Sequence, residues 1–358
     1  MDVIRVKGAP NLYLCYEGVL DDLPSLLNKH HFQRPAIIHG EASWQAAKPF
    51  IHLEEPATYV QYHGDCTHQE VARVRDEASV VDTDVIIGVG GGKVLDIAKA
   101  TGDTLHLPVI LVPTLASNCA AWTPLSVFYD NDGNFLEYTV FNQSTYMVLV
   151  EPRIIVQSPV DYLRAGIGDT IAKWYEADVL TRHLESKPIP LEIALHAAGL
   201  CRDVLLREGK NAITALSSQV ITPEFLQVVE TIIMAGGMVG SFGDHYGRIS
   251  GAHSIHNGLT YVNETHDYLH GDKVAFGVLV QLAIEDRLDE ISFLLPYYKE
   301  LELPISLAEL GILENKAEAI SIIAHGATKP GESIHLMGIS DRTIVEKAIY
   351  KIENLKPR

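Results

Sequence analysis

The chain has 358 residues, 47% of them hydrophobic and 21% charged, with a formal net charge of −18. That length admits two domains and a sizeable core. That acidity excludes the basic footprint on which nucleic-acid binding depends. Four cysteines, Cys15, Cys66, Cys119 and Cys201, form no CxxC pair and read as free thiols of a reducing compartment. The N-terminus, Met1-Asp2-Val3-Ile4-Arg5, carries no signal-peptide pattern, and no apolar run reads as long enough to span a bilayer. The expectation is a cytoplasmic protein with a small-molecule partner, no nucleic acid and no membrane.

In chain order, short apolar runs at 36–39, 59–62, 85–89, 109–112 and 147–150 predict strands. Helical patterns at 69–78 and 94–101 lie between them, and this alternation predicts a parallel sheet covered on both faces. Leu125 to Tyr129 and Phe135 to Tyr138, joined by Asp130-Asn131-Asp132-Gly133, predict a hairpin. Beyond residue 160 the strand signals fade. Helical periodicity takes over at 169–181, 190–207, 223–236 and 274–288. The reading is an α/β Rossmann-like domain over 1–160 and an all-helical domain over 161–358, with the boundary near Pro159 to Gly166.

Gly88-Val89-Gly90-Gly91-Gly92-Lys93 follows the buried-strand run Val85-Ile86-Ile87 and precedes a helix. Glycines there let a pyrophosphate approach backbone N–H groups at a helix start, and Lys93 can add charge. The spacing is neither GxGxxG nor a Walker motif, so an empty strand-to-helix turn is the competing reading.

In Gly251-Ala252-His253-Ser254-Ile255-His256-Asn257-Gly258, the two histidines share a helix face, and His270-Gly271-Asp272-Lys273 follows. Asp169 closes Gly166-Ile167-Gly168-Asp169 and on its own reads as a helix N-cap. One carboxylate and two imidazoles can hold a divalent metal and leave a coordination position open.

Gly90-Gly91-Gly92-Lys93, Pro113-Thr114 with Ala116-Ser117, Gly168-Asp169, His253 to Gly258 and His270-Gly271 together resemble the iron-containing alcohol dehydrogenase superfamily, and within it the glycerol dehydrogenase branch. Thr123-Pro124-Leu125-Ser126-Val127, Ala165 to Thr170, Ala172 to Ala177 and Gly236 to Gly240 are similar to hydroxycarboxylate dehydrogenases of that branch. The resemblance spans nearly the whole chain, with the motifs in family order. It implies a dinucleotide domain followed by a helical metal domain, with catalysis in the cleft between them and a homo-oligomeric assembly. It places a divalent metal, zinc or iron, on Asp169, His253 and His270. It places pyrophosphate on Gly91, Gly92 and Lys93, beside Gly90. Other cofactor contacts fall on Thr114, Ser117, Thr123, Leu125, Val127 and Tyr129, and His256 becomes a candidate relay for the alcohol proton. The implied reaction is hydride transfer between a CH–OH carbon and a nicotinamide, with the metal as Lewis acid.

Three departures bear on substrate. Cys119 stands where glycerol dehydrogenases place an acid near glycerol. Lys173 stands where several relatives have a fourth metal ligand, a histidine, one helical turn after Asp169. Arg248 lies shortly before His253. An acid is lost and two cations are gained, which favours a 2-oxo or 2-hydroxy carboxylate over glycerol. The competing reading makes Lys173 a partner of Asp169 or Glu176, and Arg248 a bridge between helices. At the end of the second strand, Ile38-His39-Gly40-Glu41 puts Gly40 where NAD-preferring relatives carry an acid. This favours NADPH over NADH, with Glu41 as the counterweight. Two other classes compete: a dehydroquinate synthase-like cyclase that returns its NAD unchanged, and a binding protein that kept the fold.

Overall fold

The computed structural model describes residues 3–53, 56–80 and 82–355; Met1 and Asp2 of the N-terminal stretch lie outside them. The α/β half runs β1 (Leu12–Cys15), α1 (Leu23–Lys29), β2 (Pro35–His39), α2 (Glu41–Ala47), β3 (Thr58–Gln61), α3 (His68–Ala78), β4 (Val85–Gly90), α4 (Gly92–Leu105) and β5 (Val109–Pro113). The hairpin β6 (Leu125–Tyr129) and β7 (Phe135–Val140) follows, then β8 (Met147–Val150). All strands of the main sheet pair in parallel, in the order β1-β8-β5-β4-β2-β3.

Every residue of β2, β4, β5 and β8 is buried. Strands covered on both faces show continuous apolar runs rather than alternation, which is why the sequence displays them so plainly. Neighbouring residues sort to opposite faces: Ile38, Ile86 and Leu111 enter one core, Ile37, Ile87 and Ile110 the other. The edge strand β1 was not expected. It is four residues long and only half-buried, too short to leave a pattern. The hairpin forms as expected, antiparallel, with Gly133 at φ +81° and the Asp130 carboxylate capping the turn through Asp132 and Asn134 N–H.

The helical half comprises α5 (Pro152–Ile155), α6 (Val160–Thr181), α7 (Ile189–Ser217), α8 (Pro223–Glu230), α9 (Gly236–Gly243), α10 (Gly251–Leu259), α11 (His270–Ile284), α12 (Leu288–Glu300), α13 (Lys316–Ala327) and α14 (Arg342–Glu353). Three expectations are corrected here. Asp169 is no N-cap: α6 begins at Val160, after Pro159, and Asp169 lies well inside it, buried. The stretch expected as one helix over 223–236 is α8, a π-helical turn at Thr231–Ala235, and α9. By length and composition Pro223–Tyr246 is also apolar enough to cross a membrane, contrary to the sequence reading. Most of it is buried, packed against α6 and α7.

Glycines bring the backbones together around the cleft. A Cβ on Gly166 would lie 2.1 Å from Ala116 O, and one on Gly271 would lie 1.8 Å from Ala165 O. A Cβ on Gly277 would lie 2.3 Å from Ala252 O. Thus α6 touches the loop after β5, the start of α11 touches α6, and α11 touches α10, with no room for a side chain at any of these contacts.

Candidate active site

A cavity of about 750 Å³ opens at the C-terminal ends of β2, β4 and β5, where Gly40, Gly91 and Thr114 line it. Ligands of open parallel sheets bind at this edge. Its opposite wall comes from α6, α10 and the start of α11.

On the sheet side, β4 turns into α4 through Gly91, the N-cap, and Gly92, the first helical residue. A Cβ on Gly91 would press on Leu115 Cδ1 at 2.9 Å, and one on Gly92 on Asn118 Nδ2 at 2.7 Å. Bare backbone N–H groups therefore face the cavity at the start of a 14-residue helix, an arrangement suited to a pyrophosphate. Of the expected cofactor contacts, Gly91, Gly92, Lys93, Thr114, Ser117, Thr123, Leu125, Val127 and Tyr129 line the cavity. Gly90 does not. It is the last residue of β4, its carbonyl accepts from Thr114 N at 3.0 Å, and a Cβ there would strike Val94. Its role is to let β4 meet α4. Lys93 is half-exposed on the rim and ion-paired with Asp65, so its charge is already partly neutralised.

Two charged residues missed in the sequence shape this wall. Asp96 and Lys99 form a buried ion pair one turn apart on α4, at 2.9 Å. Lys99 Nζ donates to Ala120 O at 2.7 Å, Thr123 O at 3.2 Å and Leu125 O, while Asp96 accepts from Val127 N at 3.0 Å. Together they fix the loop and strand that carry Cys119, Thr123, Leu125 and Val127. The signal was present: two charges on an otherwise apolar helix, Val94-Leu95-Asp96-Ile97-Ala98-Lys99, imply a buried pair.

On the helical side, α6 supplies Asp169, α10 supplies His253 and α11 supplies His270, with ligand atoms all within 4.8 Å of one another. Asp169 Oδ1 lies 3.3 Å from His253 Nε2 and 3.2 Å from His270 Nε2, yet it is buried with no hydrogen-bond partner of its own. The tautomers explain why. Glu176 accepts His253 Nδ1–H at 2.7 Å, which leaves Nε2 as a bare lone pair. Asn257 donates its amide to Glu332 at 3.1 Å and presents Oδ1 to His256 Nδ1 at 3.0 Å. His256 Nε2 must then accept His270 Nδ1–H, at 2.9 Å, so His270 Nε2 is a lone pair as well. Two imidazole lone pairs and a carboxylate oxygen converge with no proton among them, and a divalent cation is the group that fits.

The charges agree with this. Burial pushes the Asp169 carboxyl up, but the Lys173 ammonium outweighs it and leads in holding it well below the usual carboxylate range. Burial, with His270 and Lys273 nearby, holds His256 well below the usual imidazole range, so it is neutral. Glu176 went unassigned in the sequence, although Asp169, Lys173 and Glu176 follow the spacing of one helix face. It also accepts Ser250 N at 2.7 Å and His253 N at 3.0 Å, and so anchors the start of α10.

Over its full length the chain is similar to hydroxycarboxylate dehydrogenase A of Escherichia coli K12, with 40% identity covering 99% of this chain and 98% of that protein. The chain belongs to the iron-containing alcohol dehydrogenase family. The family model of that name, iron-containing alcohol dehydrogenase, matches residues 10–152. Glycerol dehydrogenase of Pseudomonas putida is 39% identical over 78% of this chain and 76% of its own length. The crystal structure of glycerol dehydrogenase from Schizosaccharomyces pombe superposes with a TM-score of 0.87 at 29% identity, covering 98% of this chain and 91% of that one. Membership makes the chain an oxidoreductase acting on small molecules, with a dinucleotide cofactor and a divalent metal.

In this member of the family, the residues expected to touch substrate also meet in the cavity. Lys173, Arg248 and Cys119 all line it. Lys173 is buried and makes no ion pair among the described residues; its Nζ donates to Arg248 O at 3.2 Å. Burial pushes the Lys173 ammonium down, but Asp169 and its neighbours outweigh that and hold it up, so it is charged. Arg248 Nη2 pairs with Asp244 at 3.2 Å, while its Nη1 is buried without a partner among the described residues. Burial pushes the Cys119 thiol up, which keeps it neutral.

Proposed function

We propose that this chain interconverts small 2-oxo and 2-hydroxy carboxylates, using NADP(H) and one divalent cation held by Asp169, His253 and His270, zinc in preference to iron. The cofactor groups fall in residues 1–160 and the metal groups in 161–358, with the substrate between them. The observation that carries this reading is Arg248, which lines the cavity with a buried, unpartnered Nη1. An unmade hydrogen bond to a buried charged donor costs about 1–3 kcal/mol, which a bound carboxylate would recover. Lys173 brings a second cation to the same cavity, its Nζ donating to the Arg248 backbone O. On a chain of net charge −18, two cations in one cavity single out a small anion.

A cation at Asp169, His253 and His270 supplies Lewis acidity to the substrate oxygen. The nicotinamide supplies or accepts the hydride. The remaining work belongs to the chain. The start of α4 receives the pyrophosphate on backbone N–H groups. Arg248 and Lys173 grip the carboxylate and so orient the reacting carbon beside it. Cys119 presents a neutral wall where a polyol site needs an acid. His256, the candidate proton relay, donates at Nδ1 and accepts at Nε2, so it takes a proton only when its bond to His270 opens.

The test is a steady-state panel on zinc-loaded protein, with 2-oxobutanoate, 2-oxoglutarate, oxaloacetate and dihydroxyacetone against NADPH and NADH and with glycerol against NADP and NAD, repeated with Arg248→Met and Lys173→Met. Loss of a charged hydrogen bond predicts KM for 2-oxo acids about tenfold higher in Arg248→Met. Unchanged KM in both variants would sink the carboxylate grip. Turnover of dihydroxyacetone or glycerol alone favours the second reading, a polyol dehydrogenase, which the 39% identity to a glycerol dehydrogenase supports.

A further inference from the structure

We propose that Asp244 is a positioning residue for substrate: it holds the Arg248 guanidinium by one edge and leaves the other edge for the carboxylate. This inference rests on the 2-oxo acid reading above. Asp244 follows the last residue of α9 and has φ +52° and ψ −130°, a backbone conformation that disfavours any residue with a Cβ. Glycine would relieve that strain, so an aspartate here points to a use for its carboxylate.

Both carboxylate oxygens are engaged. Oδ1 accepts from Arg248 Nη2 at 3.2 Å, and Oδ2 accepts from the Arg5 backbone N–H at 3.1 Å. The N-terminal segment that carries Arg5 is itself fastened on both sides of the cleft. Lys7 N donates to Ser241 O at 3.0 Å in α9, and Trp122 Nε1 donates to Gly8 O at 3.1 Å. The chain from segment to Asp244 to Arg248 therefore fixes Nη2 of the guanidinium and leaves Nη1 without a partner among the described residues. Asp244 is not among the residues that line the cavity, so it acts on substrate only through Arg248.

A double-mutant cycle on the full-length, zinc-loaded enzyme tests this, with KM and kcat for 2-oxobutanoate at saturating reduced cofactor. The variants are Asp244→Gly, Arg248→Met and the two combined. Asp244→Gly removes the carboxylate and relieves the backbone. It should raise KM about tenfold while kcat stays within about twofold and the melting temperature is not lowered. Asp244→Asn, which tolerates the same φ and keeps one acceptor oxygen, should raise KM by a smaller factor. In the Arg248→Met background, Asp244→Gly should change KM by less than about twofold, because the group it acts through is gone. An unchanged KM in Asp244→Gly, or effects of the two variants that multiply, overturns the inference and leaves the carboxylate reading standing. An unchanged KM in Arg248→Met overturns this inference, and together with an unchanged KM in Lys173→Met it overturns the carboxylate reading as well.

Discussion

His270 Nδ1 lies 2.9 Å from His256 Nε2. One histidine thus fixes the tautomer of another, and the series continues through Asn257 to the half-buried Glu332. Partners of this kind orient a ligating imidazole, and their removal typically weakens metal binding about 10- to 100-fold. His256→Ala should lower zinc affinity by that factor, measured by competition with a chelator in the absence of substrate. Unaltered zinc affinity would leave His256 no part in holding His270.

Gly40 follows β2 as the N-cap of α2 and lines the cavity with a bare backbone, its missing Cβ standing 2.9 Å from the Tyr62 ring. No carboxylate stands at that position to repel a 2′-phosphate, although Glu41 follows it along the same wall. Gly40→Asp should lower kcat/KM for NADPH by about tenfold or more relative to NADH, with Tyr62 shifting to admit the side chain. A wild-type preference for NADH, unmoved by Gly40→Asp, would give the adenosine end to Glu41 instead.

Glu70 offers a pH test away from the catalytic groups. Burial pushes its carboxyl up, but Arg73 at 2.8 Å and the His63 N–H at 2.6 Å outweigh that and hold it below its ordinary value. A carboxyl with a depressed folded-state pKa contributes stability above its unfolded value, about 4.3, and loses it as pH falls through the folded value. Glu70→Gln should therefore cost about 1–2 kcal/mol at pH 7. The gap to wild type should close as pH drops below about 4, in urea unfolding followed by circular dichroism. A gap independent of pH would contradict the assignment.

Much of this arrangement was legible in the sequence, for reasons that differ by element. The strands at 85–90 and 109–113 showed because both their faces are buried. The histidines showed because helix spacing and a later His-Gly pair bring them onto facing elements. Asp169 was misplaced because Gly166 read as the end of the domain boundary and Gly168 as the residue before a helix start, whereas both are helical residues that admit the Ala116 and Gly271 carbonyls. No local pattern announces a glycine whose purpose is a distant backbone. The Asp244–Arg248 pair was hidden for a related reason: its alignment depends on a positive φ that aspartate gives no sign of adopting.

The contacts at Gly166, Gly271 and Gly277 are backbone against backbone, whereas Cys119, Lys173 and Arg248 reach the cavity as side chains. Frame and selectivity are thus written in different materials. Point changes at the latter three positions can redirect what the cleft accepts while the triad stays where the main chain puts it. A lineage built this way can diverge in substrate by single replacements, whereas a Cβ at a glycine contact would displace the elements that carry the triad.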